Sequence, residues 1–482
     1  MKPLQVKFIL PALTEATSPL FRPVKYSLFP PLGLATLAAY LDPGDEAWIE
    51  DEHVMRLRPP EPGRCDLVVI QVYITNAGRA YRLADAYRAA GAFVVLGGLH
   101  VTALPEEAAP HADAIFLGPG EQTFPQFLAD FRAGSPQRRY ASTAGRTLER
   151  VPPIRRDLIR RGLYLVPNSI VVTRGCPQHC DFCYKDAFFA AGRGFYTQRV
   201  DEALAEIARL PGRHLYFLDD HLLGNRPFAS ALFSGMRGMG RLFQGAATVD
   251  SILRGNLIEE AAEAGLRSLF VGFETLSPAN LAGSNKRQNL GRDYKAVTDR
   301  LHSLGIMING SFVFGMDDDG PDVFARTVDW AIAHGVTTAT FHIQTPYPGT
   351  RLWQQMERDR RILHRDWDLY DTRHVVYRPA RLTAEQLETG YWRAYRDFYA
   401  WSAIARASLR HGSLQHQAKH FFYAAGWKRF EPLWDAVIRL RQLRHMTPLL
   451  EAVLSTLTRS TASPVPLASH AELNASHPGV LR

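Results

Sequence analysis

Cysteine is scarce in this chain: there are four in 482 residues, and three of them fall in one short run. That count leaves no material for a disulfide framework, with Cys65 standing alone outside the run. No stretch of about 20 apolar residues occurs, which excludes a transmembrane helix on sequence grounds. The opening run Met1–Leu10 has too short an apolar core for a signal peptide and reads as a first strand. Blocks of like charge are also missing. The net charge is +8, yet the arginines are scattered, and the densest basic segment is Arg439 to His445. A solvated arginine-rich surface is the expectation, and no nucleic-acid partner is expected. What remains is an ordinary globular composition, 46% hydrophobic and 22% charged. The length suffices for two or three domains, and a reducing cytoplasm suits the cysteine usage.

The cysteines that are present carry the strongest signal. Thr173-Arg174-Gly175-Cys176-Pro177-Gln178-His179-Cys180-Asp181-Phe182-Cys183 holds them at C-x3-C-x2-C. Three thiolates on a four-iron cluster leave one iron open for a substrate or cofactor. A structural zinc site would need a fourth ligand; His179 lies within the loop, but C-x2-H-C-x2-C is not a usual zinc spacing. Three buried apolar cysteines crowded into one loop would be a third reading.

This loop, with aromatic Phe182 before the last cysteine, resembles the signature of the radical S-adenosylmethionine (SAM) enzymes. The resemblance implies that Cys176, Cys180 and Cys183 bind a 4Fe–4S cluster whose open iron is chelated by SAM. An electron from the cluster would then cleave SAM to a 5′-deoxyadenosyl radical.

Residues 1–140 alternate strand and helix signals. Val6–Pro11, Ala47–Asp51, Asp66–Val72, Phe93–Gly97 and Ala114–Gly118 read as strands, with helical spacing over Leu32–Leu41, Gly78–Ala90 and Glu121–Phe131. The pattern predicts a doubly wound parallel sheet with a ligand crevice at the strands' carboxyl ends. Taken alone, the glycines after these strands are equally well explained as tight turns. Pro31-Leu32-Gly33-Leu34, Gly97-Gly98-Leu99-His100-Val101-Thr102, Pro105-Glu106-Glu107 and Gly118-Pro119-Gly120-Glu121, in that order, resemble the cobalamin-binding domain of cobalamin-dependent radical SAM enzymes. That resemblance implies cobalamin contacts at Gly97, Gly98, His100, Gly118 and Glu121. The segment Asp51-Glu52-His53 lacks the glycine of the cobalt-ligating D-x-H-x-x-G motif and follows the second strand, so His53 reads as a loop histidine.

Residues 141–165 form a linker. From 166 to 382, six strands are expected at Ser169–Thr173, His214–Leu218, Ala246–Val249, Ser268–Gly272, Ile308–Phe314 and Thr338–Ile343. Helical patterns lie between them, predicting an open (β/α)6 barrel with functional residues at the strands' carboxyl ends. The adjacent carboxylates Asp219 and Asp220 repel unless a cation lies near, and SAM is such a cation; an acidic pair at a helix start is the competing reading. Family resemblance further implies ribose contact by Glu274, adenine contact along the strand bearing Ser311, and Tyr347 facing substrate. Lys286 is placed either at a SAM carboxylate or on the solvated surface. Residues 383–458 read as helical, with Trp392, Trp401, Phe421, Phe422 and Trp427 closing the barrel mouth, and 459–482 as a disordered tail.

The resemblance implies a cobalamin-dependent radical SAM C-methyltransferase acting on a small molecule, with which a hydrophobic substrate is compatible. A flavodoxin or ferredoxin would supply electrons. One SAM would methylate the cobalamin and a second would yield the radical that opens the substrate C–H bond. Its rivals are a radical cyclisation, rearrangement or oxidation without methyl transfer, and an RNA-modifying enzyme. The last usually carries a second upstream cysteine set, which this chain lacks.

Overall fold

The computed structural model describes residues 2–13, 28–143, 145–190 and 192–426. Much of the aromatic C-terminal segment expected to be helical, Trp427 and the basic run at Arg439 included, and the expected disordered tail lie outside the described residues. Six strands form the first sheet: β1 (Gln5–Leu10), β2 (Glu46–Asp51), β3 (Leu67–Gln71), β4 (Phe93–Gly97), β5 (Ala114–Leu117) and β6 (Arg139–Ala141). All pair in parallel in the order β2-β1-β3-β4-β5-β6. Alternation along the strands buries both faces. Val6, Phe8, Val69 and Val95 pack on one side with the helices Leu32–Ala38 and Thr123–Arg132; Ile9, Val68, Ile70 and Leu96 pack on the other with Ala77–Ala89. The strand order reverses direction between β1 and β3, which opens a crevice at their carboxyl ends. Strand β6 lies beyond the five that the pattern showed. Its three residues, exposed–buried–exposed, are too few to register as a run.

The remaining strands are β7 (Ser169–Ile170), β8 (Thr173–Gly175), β9 (Phe195–Thr197), β10 (His214–Phe217), β11 (Leu242–Ala247), β12 (Leu266–Glu274), β13 (Met307–Phe314) and β14 (Thr338–Ile343). Strands β7 and β10 to β14 make a second parallel sheet in simple sequential order, with β7 and β14 at opposite edges. This is the open six-unit arrangement that the sequence implies. The expected strand at Ser169–Thr173 is interrupted, because Asp219 takes the N–H groups of Val172 and Thr173 and turns the chain into the β8–β9 hairpin. The third strand starts earlier than expected, at Leu242, since Leu242 and Phe243 are buried ahead of the small Gly245 and Ala246. A helix at Arg226–Met236, started by Asn225 capping Phe228 N–H, was not legible as a separate element.

Among the described residues, the post-barrel helices do not cover the mouth. Helix Ala384–Phe398 packs against β14, where Tyr395 and Tyr399 bond the N–H and C=O of Phe341 and Ala339 and so satisfy the edge strand. Helix Leu414–Ala424 lies at the barrel's amino-terminal end, where Tyr423 packs on Leu242 and Met307. Trp392, Trp401 and Phe422 are exposed, which corrects their expected place over the mouth. No described helix is long and apolar enough to cross a membrane.

Candidate functional site

The carboxyl ends of the two sheets face one another across a cavity of about 490 Å3. On the first sheet its wall is largely backbone and apolar. Gly98 has φ +118°, and a β-carbon there would sit 2.7 Å from Val72 O. Gly118 has φ +76°, and a β-carbon would meet Phe188 O, in the cysteine-loop segment, at 3.2 Å. Only glycine fits these left-handed, closely approached positions. Gly97 also lines the cavity. Glu121 lines it and accepts two hydrogen bonds from Arg174, at 3.0 and 2.7 Å, tying the first sheet to β8. Gln71 and Tyr73, hydrogen-bonded to each other, stand at the end of β3.

His100 departs from expectation. It is 2% exposed, points away from the cavity lining, and its Nε2 lies 2.8 Å from Glu107 Oε1. Glu107 also accepts from Tyr81 and from Trp367 of the post-barrel segment, so His100 belongs to a buried polar cluster. His53 is held by Asp51 and does not line the cavity, as the loop reading has it.

On the barrel side, Cys176, Cys180 and Cys183 are free thiols on the loop after β8. Burial pushes Cys176 up to about 11 and raises Cys180, so the thiolate forms need compensating positive charge. The half-buried Lys185 and the buried Lys286 flank the loop, and Gln288 Nε2 lies 3.3 Å from Cys180 Sγ. Soft thiolates, a hydrogen-bond donor to sulfur and nearby ammonium groups suit an iron–sulfur cluster. Among the described residues, no three His, Cys, Asp or Glu side chains form a site for a single metal ion. His179 is exposed and bonded to Asp186, outside any such set.

The two aspartates separate. Asp219 is buried and accepts from Val172 N, Thr173 N and Thr173 Oγ1; burial nevertheless raises it to about 7. It faces the loop's backbone, which corrects its assignment to SAM or substrate. Asp220 lines the cavity, 3.3 Å from Tyr184 Oη and 3.5 Å from Lys185 Nζ. Tyr347 packs on Trp353, Tyr370 and Val376 and lines neither the central cavity nor the one beside Phe182, unlike the expected placement toward substrate.

Glu274 ends β12 with φ +64°, a strained position for a non-glycine residue, and pairs with the buried Lys286. Lys286 is thus no surface lysine. Ser311 is buried in β13 between Gly272 and Thr340. Phe182 packs on the barrel core and lines a second cavity of about 270 Å3 with Met316 and Gln344. There the buried Gln344 Oε1 has no hydrogen-bond partner. Sequence reading did not single out Gln71, Tyr73, Arg174, Tyr184 or Lys185 as candidates. The last two had a signal, standing directly after Cys183; Gln71 had none.

The fold and site define a two-module enzyme: a Rossmann-like ligand cradle opposed to an open parallel barrel that carries a three-cysteine loop. Residues 170–331 match the radical SAM superfamily and residues 25–128 the B12 binding domain. The bacteriochlorophyllide d C-12(1)-methyltransferase of Chlorobaculum tepidum is 28% identical over 388 residues, 78% of this chain and 84% of that protein. The hopanoid C-2 methylase of Rhodopseudomonas palustris is 26% identical over 358 residues, 70% of this chain and 66% of that one. Among solved structures, the radical SAM methyltransferase TsrM from Kitasatospora setae, with cobalamin and a [4Fe-4S] cluster bound, superposes with a TM-score of 0.60. That match has 15% identity and covers 92% of this chain and 100% of TsrM. The cobalamin-dependent radical SAM enzyme OxsB, with aqua-cobalamin and SAM bound, gives 0.63 at 14% identity, covering 95% of this chain and 76% of OxsB. The chain is a radical SAM enzyme with a B12-binding domain, homologous to the cobalamin-dependent radical SAM methyltransferases.

Proposed function

We propose that this enzyme transfers a methyl group from SAM to an unactivated carbon of a large, mainly apolar small molecule. The carrying observation is the single cavity lined jointly by the glycine cradle of the first sheet and by Tyr184 and Asp220 beside the cysteine loop. A 4Fe–4S cluster with SAM, and cobalamin, would supply a 5′-deoxyadenosyl radical and a transferable methyl group. Cys176, Cys180 and Cys183 hold the cluster. Lys185 and Lys286 offset the thiolate charge, and Gln288 donates to sulfur. Gly97, Gly98 and Gly118 let a flat ligand approach backbone, and the apolar wall at Leu34, Val69 and Phe116 takes its less polar parts. Asp219 fixes the strand that leads into the loop. Arg174 and Glu121 hold the two modules in register.

For SAM, the cavity beside Phe182 fits an adenine, with Gln344 Oε1 free to accept from its amino group. The Glu274 carboxylate accepts from ribose hydroxyls, and the strand bearing Ser311 backs the adenine. Asp220 and Tyr184 contact the substrate. The apolar wall, and the bacteriochlorophyllide and hopanoid named for the relatives, support a hydrophobic substrate. A small protein reductant such as flavodoxin or ferredoxin supplies electrons.

The test is an anaerobic incubation of reconstituted enzyme with deuteromethyl-labelled SAM, reductant and a lipid extract of cells. The proposal expects S-adenosylhomocysteine and 5′-deoxyadenosine together with one extract component carrying the labelled methyl. Deoxyadenosine without S-adenosylhomocysteine or label would contradict methyl transfer.

A further inference from the structure

A third cavity, of about 570 Å3, lies between the linker after β6 and helix Val200–Arg209, and adjoins the central one. The two share Leu32, Thr36, Val171 and Arg174 as a common wall. Its apolar part comes from Leu148, Pro152 and Ile154; its polar part is arginine-rich. Arg156 donates from Nη2 to Ser169 O at 2.8 Å and to Glu206 Oε1 at 2.6 Å, while its buried Nη1 has no partner. Arg161 donates to the neutral Asn168 Oδ1 at 2.7 Å, and no carboxylate pairs with it. Burial and the nearby Arg156 charge both push the Arg161 guanidinium down from its ordinary value.

Of the acids that line the same space, none pairs with Arg161. Glu206 holds Arg156, Asp157 holds Arg155, and Glu202 accepts from Arg150 N at 3.4 Å. Arg161, which no carboxylate pairs, therefore faces a half-apolar cavity beside the Glu206-paired Arg156. A half-buried guanidinium without an anionic partner has donors to offer, and a carboxylate or phosphate is the multi-acceptor partner that guanidinium fits.

We infer that Arg161 and Arg156 form an anion-binding subsite, which takes a carboxylate or phosphate on a large apolar molecule whose body reaches the central cavity. The inference deepens the methylation reading and rests on it for the identity of that molecule. Two sources share this chemistry: an acid group on the substrate, and the phosphate of a nucleotide tail on cobalamin.

The test uses the cluster-loaded full chain with 1-pyrenebutyric acid and its methyl ester as fluorescent probes, and with hydroxocobalamin and cobinamide, which lacks the nucleotide phosphate. A charge-assisted hydrogen bond is worth enough to give the acid about tenfold or more tighter binding than the ester. Arg161→Gln is expected to erase that preference while leaving ester binding and the thermal midpoint unchanged. Arg161→Lys is expected to restore part of it, and it serves as the readout if the glutamine variant does not fold. If Arg161→Gln instead weakens hydroxocobalamin and not cobinamide, the subsite stands and its anion is the cofactor's phosphate. Equal binding of acid and ester, with hydroxocobalamin unaffected in both variants, overturns the subsite. Wild type that takes up no cobalamin would sink the methylation reading alone, since the acid–ester comparison is independent of it.

Discussion

On its B12-binding side the central cavity is shaped by glycine backbone and apolar side chains, whereas on the barrel side ionisable side chains held by polar partners join the wall. Gly97, Gly98 and Gly118 make the first wall by having no side chain. Tyr184, Asp220 and Arg174 make the second, each with a partner: Asp220 with Tyr184 and Lys185, and Arg174 with Glu121. The sheets differ in the same way. The first reverses its strand order and so opens a crevice wherever loops are short. The second runs in sequential order and carries Asp220 after β10, Glu274 at the end of β12 and Gln344 after β14. A wall of absent side chains tolerates no addition, while a wall of paired side chains tolerates substitution but changes its chemistry.

That contrast is broken most severely at Gly98. Gly98→Ala must leave a left-handed backbone position and clear Val72 O, a strain of about 1–3 kcal/mol or more. Cobalamin uptake should fall at least tenfold while iron and sulfide per chain stay near the wild-type value; simultaneous loss of both would show that the walls are not independent.

A smaller and sharper division is expected between the neighbouring aspartates. Asp219→Asn disturbs three buried hydrogen bonds and should lower stability by about 1–3 kcal/mol, read as a drop in thermal midpoint. Because burial raises Asp219 to about 7, the folded chain keeps a proton that the unfolded chain releases above the ordinary aspartate range. Its contribution to stability is therefore fully present at low pH and is lost as pH rises toward 7. The asparagine variant should lack that slope. Asp220→Asn should keep the wild-type midpoint and cluster content and lose turnover. Equal loss of stability in the two variants would refute the separation of their roles.

The least change is expected at His53. With its Nδ1 on Asp51 and no place in the cavity lining, His53→Gln should leave the visible and EPR spectra of bound cob(II)alamin unaltered; a change in axial ligation would overturn the loop reading.

Much of the architecture was legible because it follows from short apolar, β-branched runs ended by turn residues: β4 and β14 fall where the pattern puts them. The three cysteines stand out in the sequence because their spacing is itself a chemical signal. What escaped was decided by partners distant in sequence. Asp219 looks identical to Asp220 until the fold gives it Val172 and Thr173, 47 and 46 residues away. His100 carries the expected loop motif, yet Glu107, Tyr81 and Trp367 draw its ring into a buried cluster. Tyr347 follows an expected strand end, but the aromatic residues around Trp353 and Tyr370 claim it. Strand β6 and the β8–β9 hairpin are three-residue elements that pairing creates and no local pattern announces.

The most direct measurement is the cobalamin, iron and sulfide content of anaerobically purified wild type beside the Cys176→Ala/Cys180→Ala/Cys183→Ala variant, both from cells supplied with hydroxocobalamin. The account predicts about one cobalamin and one four-iron cluster per wild-type chain, and in the variant cobalamin retained with iron and sulfide lost. A wild-type chain with a full cluster and no cobalamin would contradict it.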